Sequence, residues 1–368
     1  MSHMSIAAAT ATAVAAYLIA GFIYAAFHPL RSFPGPLLWR GTRLAKRYHF
    51  LRGDMPFAVY DLHPRYRPVV RITPGEIAFA DAQAFKDVYN QGLVKWKGMY
   101  GFKPEYMQDL ATVSETAHHT FMRRHLAAGF SKTALHKQEG VLVGHVDLLI
   151  HQLREHSAGG RVPQGVRNWF NWLTFGVTGK LSFGADFGGL RQAKSAERVV
   201  TLTENARVLM WTSALPGLVV ATHEQKPRDM PRERMCRKGT HYDHYIIDGL
   251  IDIDDPWVES NAIMLIMAGS ETTLTALTAT LYALLQAPEK MARLTKELRS
   301  RFGRSADIAI TSTYELPYLV ACLSESLRRY SPSLSDLARV VPSKGWCCHL
   351  QQHFRFKRII GWRFYAPI

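Results

Sequence analysis

Cysteine is scarce in this chain. Four residues (Cys236, Cys322, Cys347 and Cys348) in 368 are too few and too unevenly spread for a disulfide framework, which places the body in a reducing compartment. Lys and Arg are absent from the opening "MSHMS", so the apolar run that follows does not begin like a cleaved signal peptide. Internal repeats and low-complexity tracts are missing, which argues against solenoids and against disorder. Also missing are a helix-turn-helix, a finger and an aromatic-basic platform, so the net charge of +15 gives no case for nucleic acid. That charge, with a pI near 9.7, leaves solvated surface, an anionic membrane or an acidic protein partner as readings.

From Ile6 to Phe27 the chain carries no charged residue, a stretch long enough to span a bilayer core. Arg31, Arg40, Arg43, Lys46 and Arg47 follow it. The positive-inside rule then places the body in the cytosol, on a single-pass membrane anchor covering residues 1–30. A buried helix is the competing reading of this alanine-rich run. Next, "HPLRSFPGPLLW" holds Pro29, Pro34 and Pro36, expected to form a short extended hinge between anchor and body. "PVVRITPGEIAFA" (68–80) alternates around Pro-Gly and reads as a β-hairpin.

Most of the remainder has helical periodicity. "SETAHHTFMRRHLAAGFS" opens near a capping-box pattern at Ser114 and Glu115, though without the ideal spacing. "VLVGHVDLLIHQLREH" is amphipathic, and "NWFNWLTFGVTGKLSFG" is long and apolar. Pro288 interrupts "LYALLQAPEKMARLTKELRSRF", and "LPYLVACLSESLRRYSP" starts at Pro317 and stops before Pro332. A charged, proline-containing stretch at 224–238 reads as a solvated loop.

Three short constellations carry chemistry. In "IMLIMAGSETTLTAL" (263–277), Gly269 removes a side chain where another group must come close. Ser270 and Thr272 can turn their hydroxyls back to the i−4 carbonyl, and Glu271 beside that opening can relay protons. A helix packed on a neighbour, with Glu271 at its solvent edge, reads the same letters equally well. In "ESLRR", Glu325 and Arg328 share a helix face and can pair, as many surface residues do. In "HHTFMRRHLAAGFS", His119 and Arg123 stand four apart and present a cationic patch suited to a carboxylate or phosphate. Adjacent His118 and His119 diverge by about 100° on a helix, so a shared metal ion is rejected.

In order and spacing these segments, with "FPGP", "PVVRITP", "LSFGADFGGL" and "LARVVP", resemble the cytochrome P450 haem-thiolate monooxygenases, most of all their membrane-anchored fungal members. The resemblance runs from the anchor to about Pro342. It implies a mainly α fold, a P450-like helical domain over 31–342 with a small β-rich corner, and haem as cofactor. It further implies a lipophilic, secondary-metabolite substrate, an NADPH-cytochrome P450 reductase as electron donor, and an endoplasmic-reticulum membrane. Residue by residue, Ala268 and Gly269 would line the distal face of the haem. Thr272 would hydrogen-bond the bound oxygen, and Glu271 would help deliver protons. His119 (where many relatives have Trp), Arg123 and Arg339 would hold the propionates, and Glu325 with Arg328 would form a structural lock.

One family pattern has no counterpart. The axial cysteine is expected in F-x-x-G-x-R-x-C-x-G, and its thiolate pushes electron density onto the iron. After "LARVVPSKG" the chain reads "WCCHLQQHFRFKRIIGWRFYAPI", where Cys347 and Cys348 lack the Phe, the Gly and the Arg. Plain thiols, a zinc site with His349 and His353, and a non-standard haem ligand are the three readings of that pair. Residues 343–368 are therefore expected to be a divergent tail, and the domain before them truncated. A monooxygenase that is catalytically incomplete as this chain stands is the first expectation. A non-catalytic membrane-bound homologue that binds or interacts is the alternative. Arg67, where relatives usually have Gly, and the short approach through "IIDGLIDIDDPWVESNAIM" are smaller departures.

Overall fold

A computed structural model describes residues 3–66, 68–89, 93–96, 108–184, 186–195, 200, 204, 246, 257–333 and 338–340. Arg67, the 224–238 loop, most of the approach before Trp257, and the tail with Cys347 and Cys348 lie outside the described residues.

The chain is mainly helical. Helix α1 (His3–Phe27) contains the apolar run, and Ala7–Phe27 is long and apolar enough to cross a membrane. The segment after it is less extended than its prolines suggest. Pro29 opens a 3₁₀ turn (Pro29–Ser32), where its missing N–H costs nothing. The stretch 33–36 alone is extended, before α2 (Leu37–Gly41). Nor is it a loose hinge, because Leu30 and Phe33 are buried with Ile77, Phe79, Ala84 and Val88 of the body.

Helices α3 (Leu44–Arg52), α4 (Met55–Tyr60) and α5 (Leu62–Tyr66) lead to an antiparallel hairpin, β1 (Val69–Thr73) and β2 (Glu76–Phe79). Val69 faces Phe79 and Arg71 faces Ile77 across the ladder. Alternation would leave one face wet, yet both strands are buried along nearly their whole length. The buried polar side chains therefore need partners. Arg71 donates from Nη1 to the Ala25 carbonyl of α1 (3.2 Å) and from Nη2 to Pro74 (2.6 Å). Buried Glu76 pairs with Lys46, so one of the basic residues after the apolar run serves the fold.

Helix α6 (Ala82–Tyr89) completes this corner. Then come α7 (Thr116–Ala127), α8 (Lys132–His156), α9 (Val166–Phe183) and α10 (Gly189–Gln192). No capping box forms at the start of α7: Glu115 sits at the N-cap without a side-chain cap bond. Ser131 does cap α8, accepting from the Ala134 amide at 3.2 Å.

Helix α11 (Val258–Leu285) ends before Pro288, which opens α12 (Pro288–Arg301). A short α13 (Ile310–Tyr314) precedes α14 (Pro317–Arg329). Glu297 of α12 caps α14 from outside, accepting from the amides of Tyr318 and Leu319, each at 3.0 Å. By length and composition α11 also resembles a membrane span, but it is held to α9 and α14 by side-chain contacts. A core of Val113, Met122, Leu126, Phe175, Val258, Ala262 and Ile266 joins α7, α9 and α11, and it fixes the ground on which the site stands.

Candidate cofactor site

The middle of α11 divides its small and polar residues between two directions. Gly269 meets α9, where a Cβ would stand 3.0 Å from Thr178 Cγ2 and 3.1 Å from its Oγ1. Ser270 is buried and donates across to the Thr174 carbonyl at 3.4 Å, not back along its own helix. Thr272 does turn back, donating to the Ala268 carbonyl at 2.6 Å. Ala268 and Thr272 are exposed and Glu271 is half-exposed, so they line an open face of the helix. The sequence thus anticipates close packing at Gly269, and the neighbour that fills it is Thr178. The open side belongs to Ala268 and Thr272.

A second group assembles around α7. Half-buried His119 has its pKa pushed below the ordinary value by burial and then by the positive charges of Lys95, Arg123 and Arg339. Arg339 is far away in sequence, but its backbone pairs with Lys95: the Trp96 amide bonds the Ala338 carbonyl (3.2 Å) and Val340 bonds Val94 (2.8 Å). Its guanidinium lies 5.0 Å from the centroid of the Tyr89 ring. The three propionate candidates His119, Arg123 and Arg339 are therefore brought together.

Lys95 is the fourth member of this group. Burial, then Arg339, lowers its pKa to about 8, with Asp109 opposing. Nζ donates to the carbonyls of Leu110 (2.8 Å) and Ala111 (3.0 Å). Asp109 shapes that turn by accepting from the amides of Ala111 and Thr112, both at 2.9 Å. The Leu110 amide in turn donates to Asn261 of α11 at 2.9 Å. Buried Asn261 also bonds the Trp257 carbonyl at 3.0 Å. It stands about 12 Å before Gly269 by helical rise. No local pattern in "VKWK" announces Lys95, because its partners come from segments remote in sequence.

The neighbouring His118 belongs to packing, with its ring against Trp257 and Phe121. Glu325 and Arg328 form a two-pronged pair, both bonds 2.7 Å, on the exposed side of α14.

Comparison with known proteins identifies the family. Residues 249–345 match the family model for cytochrome P450. The chain is 35% identical over 358 residues to "Cytochrome P450 monooxygenase 1" of Neocamarosporium betae, covering 91% of this chain and 74% of that protein. The chain belongs to the cytochrome P450 family. Another relative, "Trichothecene C-4 hydroxylase" of Trichoderma arundinaceum, is 31% identical over 344 residues, 87% of this chain and 68% of the relative. By family the P450 chain is a haem-dependent oxidoreductase of the monooxygenase type, working with a redox-partner reductase on lipophilic substrates.

The donor set fits that cofactor. A haem brings two carboxylates, and the charges that lower the pKa of His119, those of Lys95, Arg123 and Arg339, are positive. An open helix face lined by a methyl and a hydroxyl fits its flat apolar ring.

Proposed function

We propose that this chain is by family a haem monooxygenase of fungal secondary metabolism, built to oxidise a lipophilic substrate with electrons from an NADPH-cytochrome P450 reductase, and that residues 1–368 by themselves are catalytically incomplete. The carrying observation is the cationic cluster of His119, Arg123, Arg339 and Lys95, tied through Leu110 and Asn261 to the helix whose Ala268–Thr272 face is open. A relative named for trichothecene hydroxylation supports the substrate class.

When bound, haem supplies the dioxygen activation by which one oxygen atom enters the substrate and the other leaves as water. His119, Arg123 and Arg339 would hold its propionates; Ala268 would set how closely it approaches α11, while Gly269, a distal-face residue by the resemblance, instead lets α11 pack against Thr178 of α9. Thr272 keeps its hydroxyl on the Ala268 carbonyl at 2.6 Å; rotation about χ1 presents that proton to the opening. Glu271, half-exposed beside it, takes protons from solvent and passes them to the turn. Glu325 and Arg328 stiffen the last turn of α14.

In this proposal α1 is a single-pass anchor in the endoplasmic reticulum, with the body in the cytosol. Exposed Arg31 and Arg43 just beyond the apolar run support that orientation.

The pattern F-x-x-G-x-R-x-C-x-G does not occur in residues 1–368, so the polypeptide of those residues carries the cradle without the family's sulfur donor. We expect it to take up haem weakly, with no thiolate-type band in the reduced carbon-monoxide spectrum and no turnover with a reductase. Joining a relative's segment after Pro342 should restore both. A thiolate-type band from residues 1–368 would overturn the incompleteness, and Cys347→Ser and Cys348→Ser would then identify the ligand. Failure of the graft, with no haem taken up, would overturn the cradle itself and favour a non-catalytic membrane-bound homologue.

A further inference from the structure

Before Asp54 the chain contains no acidic residue, although Arg31, Arg40, Arg43, Lys46, Arg47 and Arg52 all fall in that stretch. Two carboxylates answer part of this charge: Glu76 pairs with Lys46, and Asp54 with His49 and Arg52. Among the described residues, no carboxylate lies within ion-pair distance of Arg31, Arg40 or Arg71. These three meet where α1 joins the body. Buried Arg71 holds the Ala25 carbonyl, level with the last turn of α1, and half-buried Arg40 donates from Nη2 to the Arg31 carbonyl at 3.2 Å. The Nε–H groups of Arg40 and Arg71 are both buried and make no hydrogen bond. A donor shut away from water without an acceptor is costly, more so when it is charged.

The two guanidinium groups also oppose each other. Burial, then Arg40, lowers the pKa of Arg71 to about 10, and burial, then Arg71, pushes that of His28 below its ordinary value. His28 Nδ1 accepts from the Leu30 amide at 3.1 Å, which leaves Nε2 as the donor of the neutral ring. One anion placed here would answer all of these groups. The surroundings indicate its kind. Phe27 precedes His28, and Leu37 and Leu38 share α2 with Arg40, and all three are exposed. Beside α1 runs an open groove of about 350 Å³, lined by Tyr17, Ala20, Gly21 and Tyr24 on one side and by Thr42 and Pro74 on the other. Arg71 donates to the Pro74 carbonyl, so cation and groove share a wall. A free phosphate ion has no use for an apolar groove, whereas a phospholipid brings both a phosphate and an acyl chain.

We propose that this junction binds one anionic phospholipid, its phosphate on Arg40 in the field of Arg71 and His28, and an acyl chain in the groove beside Tyr17 and Tyr24. This rests on the reading of α1 as a membrane span. Arg71, fixed by two carbonyls, supplies charge from beneath, and half-exposed Arg40 reaches the headgroup. Phosphate oxygens accept two parallel bonds from a guanidinium fork, which an ammonium cannot offer. Phosphatidylcholine carries its own cation beside the phosphate, so an anionic headgroup is preferred.

The experiment uses the full chain in phosphatidylcholine vesicles, with phosphatidylglycerol or phosphatidylcholine brominated near the headgroup added in turn. Quenching of Trp39, the neighbour of Arg40 on α2, is read as the difference between wild type and Trp39→Phe. Salt at about 0.5 M removes diffuse surface attraction. Under these conditions wild type should prefer phosphatidylglycerol about tenfold. Arg40→Gln should abolish that preference with quenching by phosphatidylcholine unchanged, which shows that Trp39 is still in place. Arg40→Lys should restore only part of it, and Arg52→Gln, a change at a cation already paired with Asp54, should keep it whole. Inorganic phosphate should not displace the lipid. Equal quenching by the two lipids in wild type, or a preference that survives Arg40→Gln, would overturn the site and leave the spanning helix standing. Displacement by inorganic phosphate would overturn the lipid as occupant. Absence of quenching by either lipid would overturn the span of α1 and the site with it.

Discussion

Gly269 and Thr178 are in contact across two helices, with the place of the missing Cβ only 3.0 Å from Thr178 Cγ2. Two opposing effects act on Gly269→Ala. The helix interior gains about 1 kcal/mol from alanine, and the crowded contact costs about 1–3 kcal/mol. The expected sign is net destabilisation by about 1 kcal/mol in chemical denaturation. In a Thr178→Ala background the same change should stabilise, by about 1 kcal/mol, because the colliding atoms are gone. Stabilisation in both backgrounds would mean that α9 and α11 are further apart than described.

Asn261 is buried with three hydrogen-bond contacts, to the Leu110 amide, the Trp257 carbonyl and Met122 Sδ. Asn261→Ala leaves the Leu110 amide without that acceptor and should cost about 1–3 kcal/mol. Protease cleavage within 108–113 should rise in parallel. An unchanged denaturation midpoint would detach the turn from α11.

His119 gives stability a pH dependence whose sign is fixed by its surroundings. Its folded pKa is lowered, by burial first and then by Lys95, Arg123 and Arg339, so near pH 6 the unfolded chain binds more protons than the folded one. Haem-free protein should therefore lose stability as pH falls through about 6.5, down to the folded pKa, and His119→Gln should lose less. Parallel pH profiles for the two proteins would show that His119 does not feel the cluster.

Glu325 and Arg328 point to a different outcome. The pair is bidentate, yet both side chains are well exposed. Water screens such a pair, so Glu325→Ala and Arg328→Ala should leave the melting temperature of this chain close to that of the parent. A large loss would show that the pair is covered.

For the anchor, removal of residues 1–20 should release the protein from membranes, whereas removal of 1–30 should also unfold the hairpin corner, because Leu30 lies buried with Ile77 and Phe79. Extraction of the full chain by high salt alone would rule out a spanning α1.

What the sequence disclosed, and what it hid, follows from how far apart the interacting residues lie. The hairpin at 68–80, the break at Pro288 and the start at Pro317 depend on neighbours in the chain, and they are legible there. His119 and Arg123 share one helix face, so half of the cationic cluster is also local. Lys95 with Arg339, and Leu110 with Asn261, join segments that nothing in a single sequence brings together. The burial of Arg71 was equally hidden, because an arginine in an alternating strand reads as its solvent side. Its partner is a carbonyl of α1, four helices and a 3₁₀ turn earlier.

The bond from Arg71 to the end of α1 has one more consequence. Gly21 of α1 lies against the Gly41 backbone, and Leu30 fills the core just beyond, so α1 and the segment after it meet the body at three points. A bilayer thinner than the apolar run makes such a helix lean. With these three contacts kept, the body would lean by the same angle. Were α1 to span a bilayer as proposed, the thickness of that membrane would become an input to this P450, read out as the pitch of its hairpin corner.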